Sequence, residues 1–246
     1  MKILVCISHV PDTTSKINFT NDNTEFDTNG VQFIINPYDE FGLTKAIQLK
    51  EAQGGSVTVL NVGDNTTEPT LRKALAIGAD DAIRVDAKPA DAYFVAEQIA
   101  AVVKENEYDL IICGQESIDY NGGQVGGMVA AMLDLPYASP CVGMDIEGSS
   151  ATVIREIDGG KEKSKMELPI VIGGKKGLVE EKDLRIPNMR GIMTARTKPL
   201  AVREATGAEA KTSAVKFEKP APKADVKLVD NVDDLVNLLH NEAKAI

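Results

Sequence analysis

The stretch "YDLIICGQESIDYNGGQVGGMVAAMLDLP", residues 108–136, decides the fold. Its apolar run Leu110-Ile111-Ile112-Cys113 stops at Gly114, a polar and glycine-rich passage follows, and helical spacing begins near Gln124. An unbroken apolar run of this length reads as a strand covered on both faces, the kind found in parallel sheets. The same unit recurs on either side. Lys2–Ser8 and Ser56–Gly63 are apolar strands, and "AIRVDA" is a further one. Between them, "YDEFGLTKAIQLKEAQGG" repeats Phe41, Leu43, Ala46, Ile47 and Leu49 at helical spacing, with Pro37 at an early helical position and Gly54-Gly55 as its stop. "TEPTLRKALAIGADD" and "DAYFVAEQIAAVVKENE" are two more helices. Strands alternating with helices predict an α/β fold, a doubly wound and mostly parallel sheet with right-handed connections.

After Pro136 the rhythm changes. "CVGMDIEG", "ATVIREIDGG" and "KSKMELPIVIGG" are short segments with glycine turns, expected as antiparallel strands added at the sheet edge. Residues 1–200 therefore read as one α/β domain, with a polar loop over about 183–198. Residues 201–228 lack a core-forming period, and 201–246 read as an extended arm ending in a helix capped by Asn231. Such an arm is expected to pack on another subunit or back across the domain.

The composition excludes several classes. A net charge of −10 argues against nucleic-acid or anionic-membrane binding. No run of about 18 apolar residues exists, so direct membrane insertion is not expected. The N-terminal apolar run is too short for a secretory signal, and the three spaced cysteines fit reduced thiols, so a cytoplasmic setting is expected. With His9 and His240 as the sole histidines, neither a histidine metal site nor a Ser-His-Asp triad is expected.

Ligands of open parallel sheets bind beyond the carboxyl ends of the strands, where strand order reverses. Gly114 stands at such an end, and the helix after it aims free N–H groups at the same place, an arrangement that suits phosphate. Glycines at 122, 123, 126 and 127 would let backbone approach a ligand, while Gly122-Gly123 could instead merely make a turn and cap. Cys6-Ile7-Ser8, Ile35-Asn36-Pro37 and Asn61-Val62-Gly63 end at the same rim. No glycine fingerprint follows the first strand and no P-loop is present, so a conventional NAD-binding dehydrogenase is disfavoured.

Several segments, in order, resemble one family: "MKILVCISHVPDT", "INPYDEFGLTKAIQLKE", "TLRKALAIGADDAIRV", "YDLIICGQESID", "VIREIDGGKEKSKMELPIVI" and "LRIPNMRGIMTARTKP". The resemblance, over about residues 1–200, is to the beta subunit of electron transfer flavoprotein. It implies a Rossmann-like, adenine-nucleotide-binding sheet and a heterodimer whose alpha subunit holds most of the redox FAD. It implies AMP in the beta subunit, or a second FAD in electron-bifurcating members. It further implies electrons taken from dehydrogenases such as acyl-CoA dehydrogenases, as in fatty-acid oxidation, and passed to a quinone oxidoreductase of the respiratory chain.

Carried over residue by residue, the resemblance implies that Cys6 offers a backbone contact to adenine. It implies that Asn36, Pro37, Tyr38 and Asp39 line the nucleotide, with Tyr38 near the partner's flavin, and that Val62 belongs to the adenine pocket. Gly114, Gln115, Ser117, Ile118, Asp119, Asn121, Gly122, Gly123, Gln124 and Val125 match the main nucleotide loop. That loop fits neither the AMP pattern nor the bifurcating one, so AMP against FAD stays open. Glu156 is expected at the flavin-domain interface, and the apolar residues of 183–198 (Leu184, Ile186, Met189, Ile192, Met193) either recognise dehydrogenases or pack on the sheet. Asp119 could bond a ribose hydroxyl or cap its own turn. No residue is expected to act as acid, base or nucleophile. The competing reading is a stand-alone adenine-nucleotide sensor of the universal-stress type.

Overall fold

Leu110–Gly114 is the middle strand of a nine-stranded sheet in the computed structural model, which describes residues 1–223 and 225–246. In chain order the elements are β1 (Lys2–Cys6), β2 (His9–Pro11), β3 (Phe19–Thr20), β4 (Glu25–Phe26), β5 (Phe33–Ile35), α1 (Pro37–Gln53), β6 (Ser56–Val62), α2 (Glu68–Ile77), β7 (Asp81–Asp86), α3 (Ala92–Glu105), β8 (Leu110–Gly114), α4 (Val125–Leu133), β9 (Tyr137–Glu147), β10 (Ser150–Ile157), β11 (Gly160–Glu167), β12 (Ile170–Gly174), α5 (Met189–Ala195), β13 (Leu200–Glu204) and α6 (Val232–Asn237). They form two units, one of Met1–Asn18 with Asp27–Ala214, the other of Phe19–Phe26 with Val215–Ile246.

In the first unit the strands run in the order β11-β10-β9-β12-β8-β1-β6-β7-β13. All pairings from β9 to β13 in this order are parallel, and the hairpins joining β9, β10 and β11 are antiparallel, as expected for added edge strands. Ile170–Gly174, expected to be antiparallel with them, is instead a parallel strand between β9 and β8, because its apolar run is covered on both faces. From β1 the chain moves through α1 to β6 and through α2 to β7. It then returns through α3 to β8, on the other side of β1. Strand order therefore reverses between β1 and β8.

Period-two burial explains the two faces. Ile3, Val5, Val57, Val59, Leu110 and Ile112 pack with Leu43, Ile47, Leu71 and Leu75 of α1 and α2. Leu4, Leu60, Ile111 and Val171 pack with Ile99 of α3 and Val129 of α4. Each such side chain contributes about 1.5–3 kcal/mol when fully buried. Gly42 lets α1 lie close on β8, since a Cβ there would come within 2.6 Å of Ile112 Cγ2.

Residues 200–214 extend this unit in a way their pattern does not announce. β13 lies parallel to β7, Thr206 bonds the Gln98 side chain, and the N–H groups of Lys211 and Thr212 donate to Asp91. An edge strand covered on little of its surface needs no apolar run, and Ala201 and Val202 are exposed.

In the second unit β3 pairs antiparallel with β4, the rings of Phe19 and Phe217 stack with centroids 5.1 Å apart, and Phe217 N–H donates to the Asn23 carbonyl at 2.7 Å. The N-cap of α6 is Asn231, as its sequence position suggests, and its Oδ1 accepts from Asp234 N–H at 2.8 Å.

Candidate functional site

The reversal between β1 and β8 is tied by two buried polar residues at the start of α1. Asn36 precedes Pro37, which opens the helix, and Asp39 follows Tyr38 in its first turn. Asp39 Oδ2 accepts from Ser8 N–H at 2.6 Å, just past β1, and Oδ1 accepts from Gly114 N–H at 2.9 Å, the last residue of β8. Asn36 Nδ2 donates to Asp39 Oδ1 at 3.1 Å and to the Glu116 carbonyl at 2.9 Å, while its Oδ1 accepts from Ile118 N–H at 3.2 Å. Two side chains thus join both lips of the crevice and the loop above it.

Gly114 is glycine for a reason of contact. A Cβ there would sit 2.3 Å from Asp39 Oδ1 and 3.0 Å from the Tyr38 Cβ. Asp39 is 1 % exposed, and no ion pair to it occurs among the described residues. Burial pushes its carboxyl up to about 7, against the N–H donors of Ser8, Asn36 and Gly114, which pull it down.

The loop then leaves this anchor. Gln115 N–H donates to the Gly174 carbonyl at 2.8 Å, and Asn121 N–H donates to Ser117 O at 2.8 Å. Asp119 Oδ1 accepts from Tyr120 N–H at 3.0 Å, a contact within its own turn. Asn121 and Gly123 adopt positive φ, 51° and 60°. Residues 119–124 are exposed, and a Cβ on Gly122 would meet nothing within 4 Å. α4 starts at Val125 with Gln124 as N-cap and no side chain capping it, so its first N–H groups face this open passage without a side-chain acceptor.

The other two glycines serve packing, which corrects the sequence expectation that all four open a path for a ligand. A Cβ on Gly126 would lie 2.9 Å from the Tyr137 hydroxyl, and one on Gly127 3.4 Å from Tyr137 Cε1. Gly173 makes room for the same hydroxyl and for Ser139. Tyr137 supports the first turn of α4 from beneath; its position directly after Pro136, with glycines ten and eleven residues earlier, is the only trace of this in the sequence.

Of the remaining expected residues, Cys6 and Val62 end β1 and β6 as buried apolar positions beneath the rim. The Cys6 thiol is pushed well up by its hydrogen bond with Cys113 and by burial. Pro37 and Tyr38 are half-buried at the start of α1. Sequence reasoning gives no separate role to Ser8 or Asn61, yet both take part in the rim. Asn61 Nδ2 donates to the Ile7 carbonyl at 2.8 Å, linking β6 to the end of β1. His9 stacks on Phe33 at 4.4 Å and its Nδ1 lies 2.8 Å from Thr70 Oγ1; burial lowers its pKa.

A second surface lies on α2. Arg72 Nη1 donates to the carbonyls of Ala195 and Lys198, each at 2.8 Å, and Lys198 Nζ donates to the carbonyls of Leu75 and Ala79 at the end of α2. Gly191 sits so close that a Cβ would lie 2.2 Å from the Ala76 carbonyl oxygen. This fastening leaves Ile186, Met189 and Met193 exposed at 79 %, 77 % and 69 %. Beside them a hollow of about 540 Å³ is lined by Pro69, Ala76, Pro187 and Ile192 and rimmed by Arg72, Lys73 and Arg196. Near the other end of the sheet Arg155 pairs with Glu162, and Glu156 with Lys175 at 2.6 Å. Among the described residues no helix is long and apolar enough to cross a membrane.

A doubly wound sheet with an anchored loop at its reversal point is an open α/β architecture, the kind in which ligands bind outside the carboxyl ends of the strands. The electron transfer flavoprotein domain model matches residues 24–208. The chain is 35% identical over 262 residues to the electron transfer flavoprotein subunit beta of Bacillus subtilis, covering all of both chains. It is 36% identical to the subunit beta of Syntrophomonas wolfei, with 94% of this chain and 90% of that one covered, and 32% identical to the human subunit beta, with 96% and 95% covered. The chain belongs to the electron transfer flavoprotein beta subunit family.

Proposed function

We propose that this chain is the beta member of an electron-carrying heterodimer and holds an adenylate group, of AMP or of a second FAD, at the reversal between β1 and β8. The observation that carries this reading is the loop at 114–125: anchored at one end by Asn36, open over 119–124, and ending on the uncapped first turn of α4. These features fit an anionic group. The backbone N–H groups of Gly122, Gly123 and α4's first turn would hold phosphate oxygens. The rim over Cys6 and Val62 would take the adenine, and Asp119 lies in reach of the same exposed passage. A flavin, when bound, supplies the electron chemistry; the chain's own residues bind, orient and exclude water.

In this reading residues 201–246 contact the alpha subunit. Residues 183–198 meet electron donors such as acyl-CoA dehydrogenases, with Ile186, Met189 and Met193 presented to the partner by α5 on its rigid α2 support. A quinone oxidoreductase is the acceptor class. Glu156 would exchange Lys175 for a cation of the alpha subunit. The test is co-expression with an alpha subunit. A yellow complex that carries this chain supports the reading, and a colourless chain that stays apart from such a subunit refutes it.

A further inference from the structure

We propose that Asn36 and Asp39 are positioning residues of the adenylate site: a buried latch that sets the two lips and the loop, without touching the nucleotide. The inference rests on the nucleotide reading above and adds what governs that site.

Geometry separates the latch from a ligand contact. Both carboxylate oxygens of Asp39 are already engaged, Oδ2 with Ser8 N–H and Oδ1 with Gly114 N–H and Asn36 Nδ2. Both ends of the Asn36 amide are engaged too, with Asp39, Glu116 and Ile118. Asn36 is 0 % exposed and Asp39 1 %. Neither has a free face for a ribose or phosphate. What they do hold are the residues that end β1, end β8 and begin the loop, which are the walls of the crevice.

The latch works as drawn only while Asp39 is a carboxylate. Adding a proton turns one of its two oxygens from acceptor to donor, and that oxygen then faces an N–H group. Ser8 or Gly114 loses its anchor, and the wall it belongs to is freed. The titratable groups around Asp39 do not mask this. On β1 it faces the Cys6 thiol, which is hydrogen-bonded to the free Cys113 thiol of β8. On its own helix Glu40 is paired with Lys73, and in the loop Glu116 bonds the Gln115 side chain. Burial without a cation brings the carboxyl to about 7, so the latch would open and close in the neutral range.

The test uses the full chain in complex with its alpha subunit, dialysed free of nucleotide at the beta site. Adenosine and AMP are titrated by calorimetry from pH 5.5 to 8.5. Adenosine is the part that AMP and FAD share, and it is uncharged across this range, so its pH dependence reports the protein. Wild type is expected to bind adenosine about tenfold more tightly at the alkaline end, the effect of one hydrogen bond to a charged group. Asp39→Asn is expected to bind weakly with that rise gone, and by the same factor for AMP, adenosine and the 2′- and 3′-deoxyadenosines. His9 is retained in the variant, so its titration cancels in the comparison. Asn36→Ala, which leaves the carboxylate but frees Glu116 and Ile118, is expected to weaken all probes alike and serves if Asp39→Asn does not fold. A flat wild-type profile, an unchanged rise in Asp39→Asn, a loss confined to one deoxyadenosine, or wild-type affinity in Asn36→Ala would each overturn the latch alone. Failure of wild type to bind AMP or adenosine at any pH would overturn the nucleotide reading, and the latch with it.

Discussion

Replacing Gly114 by alanine isolates the crevice anchor in one methyl group. The new Cβ would lie 2.3 Å from Asp39 Oδ1 and 3.0 Å from Asn36 Nδ2. Neither atom ends a flexible side chain with somewhere to go, since Asn36 and Asp39 are buried and bonded on both sides. Overpacking of this kind costs about 1–3 kcal/mol. Displacing Asp39 also breaks its bond to Gly114 N–H and strands a buried donor, which adds about 1.5–3 kcal/mol for a bond to a charged group. The sum, about 2.5–6 kcal/mol, is a large share of the roughly 5–15 kcal/mol that holds a domain folded. For a domain of this size it corresponds to roughly 5–24 °C in Tm. Gly122→Ala is the control, because its Cβ would meet nothing within 4 Å and its φ is not in the left-handed range. Thermal melts of the two variants beside wild type make the comparison. If Gly114→Ala melts with wild type, the Asp39 carboxylate does not sit against Gly114 and does not anchor the end of β8.

Other consequences follow from the same contacts. The folded carboxyl of Asp39 titrates at about 7, above its ordinary 3.8, so its contribution favours the fold at low pH and is lost as pH rises toward about 7. Asp39→Asn should therefore gain on wild type between pH 4 and 8, by at most about 4 kcal/mol, in denaturant titrations; a gap that does not change with pH would refute this. Arg72→Met removes two of the four hydrogen bonds by which Arg72 and Lys198 fasten the end of α5 to α2, and should make 185–198 the first site of limited proteolysis, with the sheet still protected. Ile186→Ser and Met193→Ser, at exposed positions, should leave Tm within about 1 °C while raising the KM for the donor dehydrogenase; an unchanged KM would move docking elsewhere.

The parts of this molecule legible in its sequence are those whose physics is local. β1, β6 and β8 are buried on both faces, so their apolar runs stand out, and Pro37, Gly54 and Gly78 mark helix boundaries. The rim is legible because strand ends in such a sheet must converge. Its wiring is not. Asp39 and Gly114 lie 75 residues apart, and nothing in "NPYDEF" says that the aspartate turns inward to three N–H donors while Glu40 turns outward to Lys73. Gly126 looks like a phosphate glycine because the residue that needs its missing side chain, Tyr137, arrives from the next strand. β13 hides for the opposite reason: an edge strand with exposed Ala201 and Val202 carries no apolar signature.

In the proposed function an adenylate group sits where β1 and β8 part. The most direct measurement is to purify the heterodimer, denature it, and quantify AMP and FAD per complex, for wild type and for Gly114→Ala. Wild type should release one adenylate-bearing molecule beyond the flavin of the alpha subunit, and the variant should have lost it or be sharply depleted in it. A wild-type complex that releases one FAD and no second adenylate would contradict the proposed function.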